Sequence, residues 1–487
     1  MSNAFKNNIS IVLFLLAIVA ITSLTKCSNA DYLPEVTTVP YSNIDSDYSD
    51  HSLTTSQEQY VTPDEPIEPQ EPYETPEPYE IEMISRISSP YANVDWDTFR
   101  QYKASHHVHT TFSDGSNTLK DMLIDLYNKG YDIVAIADHD TTTSAWDLNP
   151  DPNRGNRSGI RTANLTSEEL TAINNGTYDA SDFPGTYTGR REQDNGMIGI
   201  GNTNEITASV GYERGVFQKH HINSFFAEIP GNTGRDKTMA EVIQLVQDAG
   251  GITNINHPGR YTGMQNDITA ATKKPIIVER YVQLFMDFPS LIGMEIISKW
   301  DYDSINDRVF WDHILMQTMP HSRSVWGFSN DDSHSLSANG FAWNVMLMPT
   351  FDETAVRTSM ETGAFYSVSR VDRHHEVNNI MPNGRRTPEM PSVTSAGSPY
   401  SGGSHNSFVL QLLSEETPVI TSISITGNEI TILGSYFDKI VWIADGEIVH
   451  TGTSVNIDDF SGINSYIRAE LVGPSGVAYT QPFGITE

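Results

Sequence analysis

Two histidines separated by one residue open a run of side chains of the types that bind metal ions. The letters HVHTTFSDG occupy residues 107–115, and an Asp-His pair that ends at His139 follows. Alternate residues of a strand point to the same face, so His107 and His109 can hold one metal ion together. Asp114 and His139 can reach the same pocket from the loops that follow. The pattern therefore predicts the beginning of a metal site.

Between about residues 91 and 370, predicted strands alternate with predicted helices, and these elements must position the candidate ligands. Residues 104–110 are typical of a strand, 118–129 of an amphipathic helix and 133–137 of a buried strand. Further strands are predicted at residues 198–207, 221–227, 252–256, 291–298 and 325–329, with a helix at 239–249. Repeated βα units predict a parallel sheet, most simply closed into a barrel with active-site residues at the carboxyl ends of its strands.

Five more residues of the same chemical types lie at or near the ends of these predicted strands. They are Glu205, His221, His257, Asp332 and His334. The chain has 15 histidines, and a single histidine is more often a surface or core residue than a metal ligand. The coincidence of so many candidates with strand ends is much stronger evidence than any one of them.

Taken in order, these motifs resemble those of the PHP (polymerase and histidinol phosphatase) family across roughly residues 100–370. The resemblance implies a distorted (β/α)7 barrel that binds two or three divalent ions, commonly Mn²⁺, Zn²⁺ or Fe, and hydrolyses phosphoesters. Matched position by position, it also implies that Glu205 bridges two ions. The full set of metal ligands that it implies is His107, His109, Asp114, His139, Glu205, His221, His257, Asp332 and His334.

The chemistry of these side chains agrees with the resemblance. Six imidazoles and three carboxylates form a mixed nitrogen and oxygen set, which suits Mn, Fe or Zn better than Mg or Ca. So many ligands exceed the needs of one ion. Neighbouring ions can ionise a bridging water near neutral pH and neutralise the phosphoryl group under attack, so no serine or cysteine nucleophile is required.

Three positions near these motifs have more than one interpretation. Asp331 adjoins Asp332, and the Asp-x-His spacing favours Asp332 as the ligand. His220 adjoins His221, and the resemblance favours His221, because the apolar residues after it match the pattern of the PHP family; His220 is then a candidate for a neighbour that supports the ligands. Asp140 can orient a ligand histidine or cap its loop, and the two interpretations are equally compatible with the sequence.

A phosphate needs positive charge beyond the metal ions. Arg260 is the best candidate because it lies three residues after His257 on the same predicted loop. A solvated loop arginine is the competing interpretation. Arg190, Arg191 and Arg370 are the fallback candidates, since they belong to segments that could fold over the mouth of a barrel.

Residues 143–196 form an unusually long connection that is rich in Asn, Gly, Asp and Thr. Loops of this length inside a compact domain are usually binding elements or disordered insertions. Thr166 and Glu169 have the spacing of a capping box and predict one short helix. We interpret the insertion as a lid that sets substrate preference.

The N-terminus has the pattern of an export signal. Lys6 precedes an apolar run at residues 9–24 that is short for a bilayer span, and residues 1–30 are interpreted as a signal peptide. Cleavage after Ala30, lipidation at Cys27 and an uncleaved anchor are the three alternatives. Residues 31–90 carry fourteen acidic residues and one basic residue and predict a Pro-rich extended linker.

The pattern changes to strands and turns after residue 370, where a small all-β domain is predicted for residues 371–487. An immunoglobulin-like sandwich is the simplest way to close it. Its strands are predicted at residues 408–413, 420–426, 429–433, 440–444, 447–450 and 465–471, with a turn at Asp445-Gly446. A packing or spacer role is favoured over carbohydrate binding.

The acidic balance of the chain limits its partners. A formal net charge of −32, from 62 acidic and 30 basic residues, disfavours nucleic-acid polymers and anionic membranes, which both need clustered Lys and Arg. A small phosphorylated substrate fits better, with any membrane tether restricted to the N-terminus.

The sequence therefore predicts an exported, metal-dependent phosphoesterase, located in the periplasm, at the cell surface or outside the cell. It would hydrolyse small phosphomonoesters or phosphodiesters through a hydroxide that bridges the metal ions. One alternative is a metal-dependent amidohydrolase-type enzyme that cleaves C–N bonds. The other is a non-catalytic surface protein that uses its metal ions for binding.

Overall fold

The βα pattern of the sequence produces two sheets in the computed structural model. The model describes residues 85–142, 165–179, 196–209, 212–213, 216–217, 220–265, 267–298, 304, 306–370 and 416–486. The predicted signal peptide, the linker up to residue 84 and most of the predicted lid lie outside these residues. None of the described helices has the length and apolar character that a membrane crossing requires.

The first elements are strands with three intervening helices. They are β1 (Ile87–Ser88), β2 (Arg100–Val108), α1 (Leu119–Asn128), β3 (Ile133–Ile136), α2 (Ser167–Asn174), β4 (Ile198–Gly199), β5 (Asn204–Ala208), β6 (Tyr212–Glu213), β7 (Val216–Phe217), β8 (His220–Phe225), α3 (Met239–Asp248) and β9 (Ile252–Ile255). Helices dominate the part that follows, which comprises α4 (Gly259–Thr262), α5 (Ala270–Lys273), α6 (Pro275–Asp287), β10 (Leu291–Ser298), α7 (Asp307–Thr318), β11 (Trp326–Asn330), β12 (Ala342–Met348), α8 (Glu353–Thr362) and β13 (Phe365–Ser369).

The remaining elements are short strands. They are β14 (Val419–Thr426), β15 (Glu429–Ser435), β16 (Lys439–Ala444), β17 (Glu447–Thr451), β18 (Ser454–Asn456), β19 (Tyr466–Gly473), β20 (Gly476–Tyr479) and β21 (Phe483–Ile485). Five of the six strands predicted here from sequence are present, and the sixth, at residues 408–413, lies outside the described part. The predicted turn has positive φ at both central residues, 49° at Asp445 and 81° at Gly446, as a tight hairpin turn requires.

Side-chain caps fix where the helices begin. In α2 the Thr166 hydroxyl accepts a hydrogen bond from the Glu169 N–H, and the Glu169 carboxylate accepts one from the Thr166 N–H, so the predicted capping box is confirmed. The pair Thr238 and Glu241 makes the same arrangement at α3. Gly130 follows α1 with φ 73°, a conformation that suits glycine.

A five-stranded sheet and part of an eleven-stranded sheet carry the predicted ligands. The smaller sheet has the order β11-β10-β9-β8-β5, and the larger sheet contains the run β13-β12-β2-β3-β4. The strand pairs β2-β3, β9-β10 and β10-β11 are parallel, whereas β5-β8 and β8-β9 are antiparallel. The two sheets meet at isolated bridges, one between Val108 and Ser333 and one between His139 and Glu205.

The prediction of a closed barrel is therefore wrong for the described strands, which form two open sheets that touch at two bridges. The parallel order of strands that was predicted is also interrupted between β5 and β8, where the short strands β6 and β7 pair with each other and occupy the connection. A parallel neighbour would need a crossover of a dozen or more residues, usually a helix, so β8 runs antiparallel.

The C-terminal strands extend the larger sheet, and an immunoglobulin-like sandwich is not confirmed. Strand β20 pairs with β13, and β21 pairs with β1, so the sheet continues from the N-terminal part into the C-terminal part. Strands β14, β15 and β18 form a separate three-stranded sheet. The Gln481 side chain also accepts a hydrogen bond from Gly327 N–H at 2.8 Å and donates one to the Gly327 carbonyl at 3.0 Å.

Candidate metal centre

The predicted ligands converge because strand ends meet where the two sheets touch. His107 lies in β2, Glu205 in β5 and His221 in β8, while His257 follows β9 and Asp332 follows β11. Since β8 is antiparallel to β5, its first residues lie beside the last residues of β5, and Thr207 pairs with His221. His221 therefore joins ligands that come from the carboxyl ends of other strands.

All nine predicted ligands fall into four overlapping groups, and within each group the ligand atoms lie within 4.8 Å of one another. Three groups are centred on buried side chains, and we call these the inner groups. They are His107-Glu205-His257, His107-His109-Asp332 and His139-Glu205-His221. The outer group is His109-Asp114-His139-His334.

Glu205 is central to two of the inner groups. Its Oε1 lies 2.9 Å from His221 Nδ1 and 3.3 Å from His107 Nε2. Its Oε2 lies 2.8 Å from His139 Nδ1. Each carboxylate oxygen thus faces imidazole nitrogens from a different strand, which is the arrangement a carboxylate needs to bridge two ions.

Asp332 provides the second buried carboxylate. Its Oδ1 lies 3.1 Å from His109 Nε2 and 3.3 Å from His107 Nε2. Its Oδ2 lies 3.6 Å from His257 Nε2. Asp332 therefore faces the ligands of β2 and β9 from the end of β11.

The outer group opens to solvent. The Asp114 side chain is 56% exposed, and its oxygens lie 3.2 Å from His334 Nε2 and 3.5 Å from His139 Nε2. The side chains of Glu205 and Asp332 are only 1% exposed. Among the described residues, the side of Asp114 is therefore the more exposed side of this centre.

Burial and charge shift the pKa values of these groups in opposite directions. Burial raises the pKa of the Glu205 carboxyl, but His221, His139 and His107 lower it by more, to well below its ordinary value. Burial lowers the pKa of His139, whereas Glu205 and Asp114 raise it to about 10. Burial dominates at His109 and lowers its pKa to about 4. Protein charges alone thus leave a mixture of charged and neutral imidazoles around buried carboxylates.

The donor atoms suit divalent ions. The Nδ1 atoms of His139 and His221 are buried 2.8 and 2.9 Å from the Glu205 carboxylate, but the angles at these contacts are not those of a hydrogen bond. Buried polar atoms normally have hydrogen-bond partners, because an unsatisfied one costs about 1–3 kcal/mol. A divalent ion would satisfy these atoms and neutralise the carboxylates, and the nitrogen and oxygen donors fit Mn, Zn or Fe.

Two ligand residues have strained backbones. His257 has φ 27° and Asp332 has φ 46°, in the left-handed region that favours glycine. Such residues persist where the surrounding structure holds them, and they concentrate at functional sites. Both residues directly follow strands of the smaller sheet, β9 and β11, close to where the sheets meet.

The structure separates Asp332 from its acidic neighbour. The Asp331 carboxylate accepts hydrogen bonds from the N–H groups of Gly340, Phe341 and Ala342 at 2.6, 3.1 and 2.8 Å. The Asp331 carboxylate therefore binds the backbone at the start of β12 and in the loop before it. Asp332, as the Asp-x-His spacing predicts, faces the imidazoles.

His220 and Asp140 contact other parts of the structure. Nδ1 of His220 lies 2.9 Å from the Tyr281 hydroxyl, and burial lowers the pKa of His220 to about 3. His220 is in none of the four groups. Asp140 Oδ1 accepts a hydrogen bond from Thr207 N–H at 3.3 Å, a contact that corresponds to the loop-capping interpretation.

The arginine candidates differ in their surroundings. Arg260 is exposed in α4, and its guanidinium lies 5.9 Å from the centre of the Tyr261 ring, which itself lies 5.7 Å from the His257 ring. The guanidinium of the half-buried Arg370 lies 5.2 Å from the Trp343 ring. Arg190 and Arg191 lie outside the described residues.

Sequence reasoning missed residues that hold the ligands. Glu295 is fully buried in β10, and its carboxylate lies 2.7 Å from His107 Nδ1. Asn256 donates a hydrogen bond from Nδ2 to Glu205 Oε1 at 2.8 Å. A charged residue inside the apolar run of β10 was a signal that could have identified Glu295, since buried charges are rare unless paired.

Asp138, which the sequence shows only as part of a motif, organises the loop before α1. Its carboxylate accepts hydrogen bonds from the Thr110 N–H at 2.7 Å and from the Ser113 hydroxyl at 2.6 Å. These contacts fix the loop that carries Asp114.

Several solved structures are similar to this chain. A two-domain protein from Bacteroides vulgatus that contains a predicted PHP-like metal-dependent phosphoesterase is 12% identical, with a TM-score of 0.35, and the match covers 81% of this chain and 89% of that one. An amidohydrolase from Chromobacterium violaceum is 14% identical, with a TM-score of 0.28 and coverage of 48% and 87%. A lesion-specific endonuclease from Pyrococcus furiosus is 14% identical, with a TM-score of 0.28 and coverage of 54% and 56%.

PHP-like metal-dependent phosphoesterases are thus among the solved structures similar to this chain, as the motifs predict. At TM-scores below 0.5, these similarities identify neither a reaction nor a substrate for it. No protein-family model matches the chain. No curated protein matches it significantly.

Proposed function

We propose that this protein is a PHP-type phosphoesterase that depends on divalent metal ions. The observation that carries the proposal is the convergence of six imidazoles and three carboxylates, from both sheets, into four overlapping groups of ligand atoms. More than one ion is proposed because Glu205, with an imidazole facing each oxygen, belongs to two groups. Mn, Zn or Fe is the proposed metal, on the chemistry of the donors.

The ions, when bound, would supply Lewis acidity and a water molecule acidified to near neutral pH. Glu205 and Asp332 would hold them on the buried side, where both carboxylates are only 1% exposed. Asp114 and His334 would complete the exposed side. The substrate would therefore approach over Asp114 and meet the ions from solvent, with the buried carboxylates behind them.

The proposed substrate is a small phosphomonoester or phosphodiester. Arg260 is the proposed anion clamp because it is exposed on the short helix that begins two residues after His257. The net charge of −32 supports a small substrate over a nucleic-acid polymer, which would be repelled by most of the acidic surface. An oligonucleotide duplex is therefore a useful negative substrate.

The test is hydrolysis by the full chain, freed of metal with a chelator and reloaded with Mn²⁺. A chromogenic phosphomonoester, a chromogenic phosphodiester, an anilide and a DNA duplex would be compared. We expect turnover of a phosphoester that disappears in Asp332→Asn and persists in Asp97→Asn, an exposed acidic residue outside the four groups. Turnover of the anilide alone would support the C–N hydrolase instead, and metal binding without any turnover would support a binding protein.

We also propose that the protein is exported, on the charge and apolar pattern of its first 30 residues. Cell fractionation and N-terminal sequencing of the mature protein would test this. A mature N-terminus at Asp31 would support cleavage, and a lipid-modified Cys27 would support anchoring. Recovery of the intact chain from the cytosol would contradict export.

A further inference from the structure

Glu295 is an acidic residue in the middle of a strand that is otherwise apolar. Strand β10 is buried along its whole length, and Glu295 has no exposed surface. A buried carboxylate is costly unless hydrogen bonds or opposite charges compensate it. Its neighbours therefore indicate why the strand contains it.

Three donors surround the Glu295 carboxylate. Oε1 lies 2.7 Å from His107 Nδ1 and accepts a hydrogen bond from Asn330 Nδ2 at 3.0 Å. Oε2 accepts a hydrogen bond from the backbone N–H of His257 at 2.9 Å. One carboxylate thus contacts two of the proposed metal ligands, which come from different strands.

The contact with His107 determines which ring nitrogen can bind a metal. A carboxylate only accepts hydrogen bonds, so His107 must carry a proton on Nδ1. Its Nε2 then points at Glu205 Oε1 and Asp332 Oδ1, each 3.3 Å away. Nε2 is therefore directed into the inner groups, and it can bind a metal ion there once it has lost its proton.

The contact with His257 acts on the backbone. His257 has φ 27°, a strained conformation for a residue with a side chain, and its N–H is held by Glu295 Oε2. Asn330 fixes the carboxylate in turn, because its Oδ1 accepts a hydrogen bond from His106 N–H at 3.0 Å. Glu295 is thus held between β2, β9 and β11.

We propose that Glu295 is a positioning residue of the metal centre, which fixes the tautomer of His107 and the backbone of His257 at the same time. The inference rests on the metal-binding function proposed above. Partners of this kind typically change metal affinity by about 10–100-fold when they are removed.

Glu295→Gln tests this with a side chain of almost the same shape. An amide has one acceptor and one donor end, whereas the site presents donors to both oxygens. If the amide nitrogen faces His257 N–H, two donors meet. If the amide nitrogen faces His107 Nδ1, it also meets the donor Asn330 Nδ2. It then favours the His107 tautomer with the proton on Nε2, and a protonated Nε2 cannot bind a metal ion.

The measurement is the number and affinity of Mn²⁺ ions bound by the full chain, by calorimetric titration of chelator-treated protein with the fold checked by circular dichroism. We expect Glu295→Gln to bind at least one ion about 10–100-fold more weakly than the unsubstituted protein. Glu361→Gln is the control, since Glu361 is an exposed carboxylate of α8 that belongs to none of the four groups. Equal affinities in Glu295→Gln and the unsubstituted protein would overturn the proposal, whereas absence of binding in the unsubstituted protein would overturn the metal site itself.

A second measurement is made on the unsubstituted protein and does not use Glu295→Gln. In the unsubstituted protein loaded with diamagnetic Zn²⁺ and labelled with ¹⁵N-histidine, the His107 ring should carry its proton on Nδ1 and none on Nε2. His107→Gln would assign the signal. A proton on Nε2 of metal-loaded His107 would overturn the role of Glu295.

Discussion

At the scale of single residues, the centre is graded from buried to exposed ligands. Glu205 and Asp332 are almost completely buried, whereas Asp114 is 56% exposed and belongs to the outer group alone. Burial strengthens electrostatic interactions because the surrounding dielectric is low. We therefore expect the inner groups to hold ions more tightly than the outer group.

This grading predicts the effect of Asp114→Asn. The variant should lose the outermost ion and keep the ions of the inner groups, since Asp114 is a member of the outer group alone. Ions per chain would be counted by mass spectrometry after dialysis. Asp97→Asn, an exposed acidic residue outside the four groups, is the control, and an equal metal content in both variants would contradict the grading.

Metal binding should also release protons. Burial lowers the pKa of His107, but Asp332, Glu295 and Glu205 raise it to well above its ordinary value, and the pKa of His139 is raised to about 10. Both rings are thus protonated at neutral pH without metal, and a ligand nitrogen must lose its proton to bind. Affinity should therefore fall as the pH falls.

Calorimetric titration with Mn²⁺ in two buffers of different ionisation enthalpy would measure this release. We expect the apparent binding enthalpy to depend on the buffer. An enthalpy that is the same in both buffers would show that no proton is released.

All nine candidate ligands could be predicted from residue types, spacing and the family resemblance, because the ends of strands are visible in the sequence. The structure brings all nine together. The supporting residues were harder to find. Glu295 has no histidine or acidic neighbour in sequence, and its partners His107 and His257 lie far away along the chain. Such contacts depend on which strands lie side by side, which the pattern of one strand does not show.

At the scale of elements, a buried ion pair joins α7 to strand β19 of the larger sheet. Arg468 in β19 donates hydrogen bonds to both oxygens of Asp312 in α7, at 2.7 and 2.9 Å, and its third contact is with Glu470 at 2.7 Å. The Tyr466 hydroxyl donates another hydrogen bond to Asp312 at 2.6 Å. The Arg468 side chain is only 2% exposed, so water cannot compensate its charge, and the carboxylates of Asp312 and Glu470 must do so.

Asp312→Asn should therefore destabilise the protein strongly, because it removes the charge that faces the buried Arg468. Breaking a buried pair from one side costs about 3–5 kcal/mol in the free energy of unfolding. Urea denaturation would measure the change. Glu361→Gln, which breaks the exposed pair with Arg357 in α8, should change the free energy by less than about 1 kcal/mol. Equal effects of the two substitutions would contradict this account.

The predicted and observed elements differ where pairing partners were decisive. The apolar runs predicted most of the described strands, and the capping residues predicted the start of α2, but only α1, α2 and α3 of the eight described helices were predicted. Strands β20 and β21 were missed because they are only four and three residues long, too short for a pattern of alternation. The described strands form no closed barrel, and the antiparallel direction of β8 relative to β5 depends on their connection, which the apolar pattern does not show.

At the scale of the whole molecule, the N-terminal and C-terminal parts share one sheet. Strand β13 pairs with β20, and the Gln481 side chain contacts the Gly327 backbone in β11. Buried residues of α1, β13 and β16 belong to the same hydrophobic cluster, as Leu123, Tyr366 and Trp442 show. We propose that the C-terminal segment, residues 371–487, supports the metal centre structurally. The division of the chain into domains at residues 91–370 and 371–487 stays a prediction.

This sharing predicts that the two parts unfold together. Urea unfolding followed by tryptophan fluorescence and by far-UV circular dichroism should give coincident transitions. Removal of residues 416–487 should leave an insoluble or unfolded chain because β13 would lose one of its two neighbouring strands. Two separate transitions, or a soluble truncated protein that still binds Mn²⁺, would contradict the support role.

The central claim is that nine residues form one centre with more than one metal ion. Titration of the chelator-treated full chain with Mn²⁺, with turnover of the phosphoester followed on the same sample, tests it most directly. We expect two or three ions per chain, with turnover appearing only after more than one ion has bound. A single ion per chain, or no ion at all in correctly folded protein, would contradict the claim.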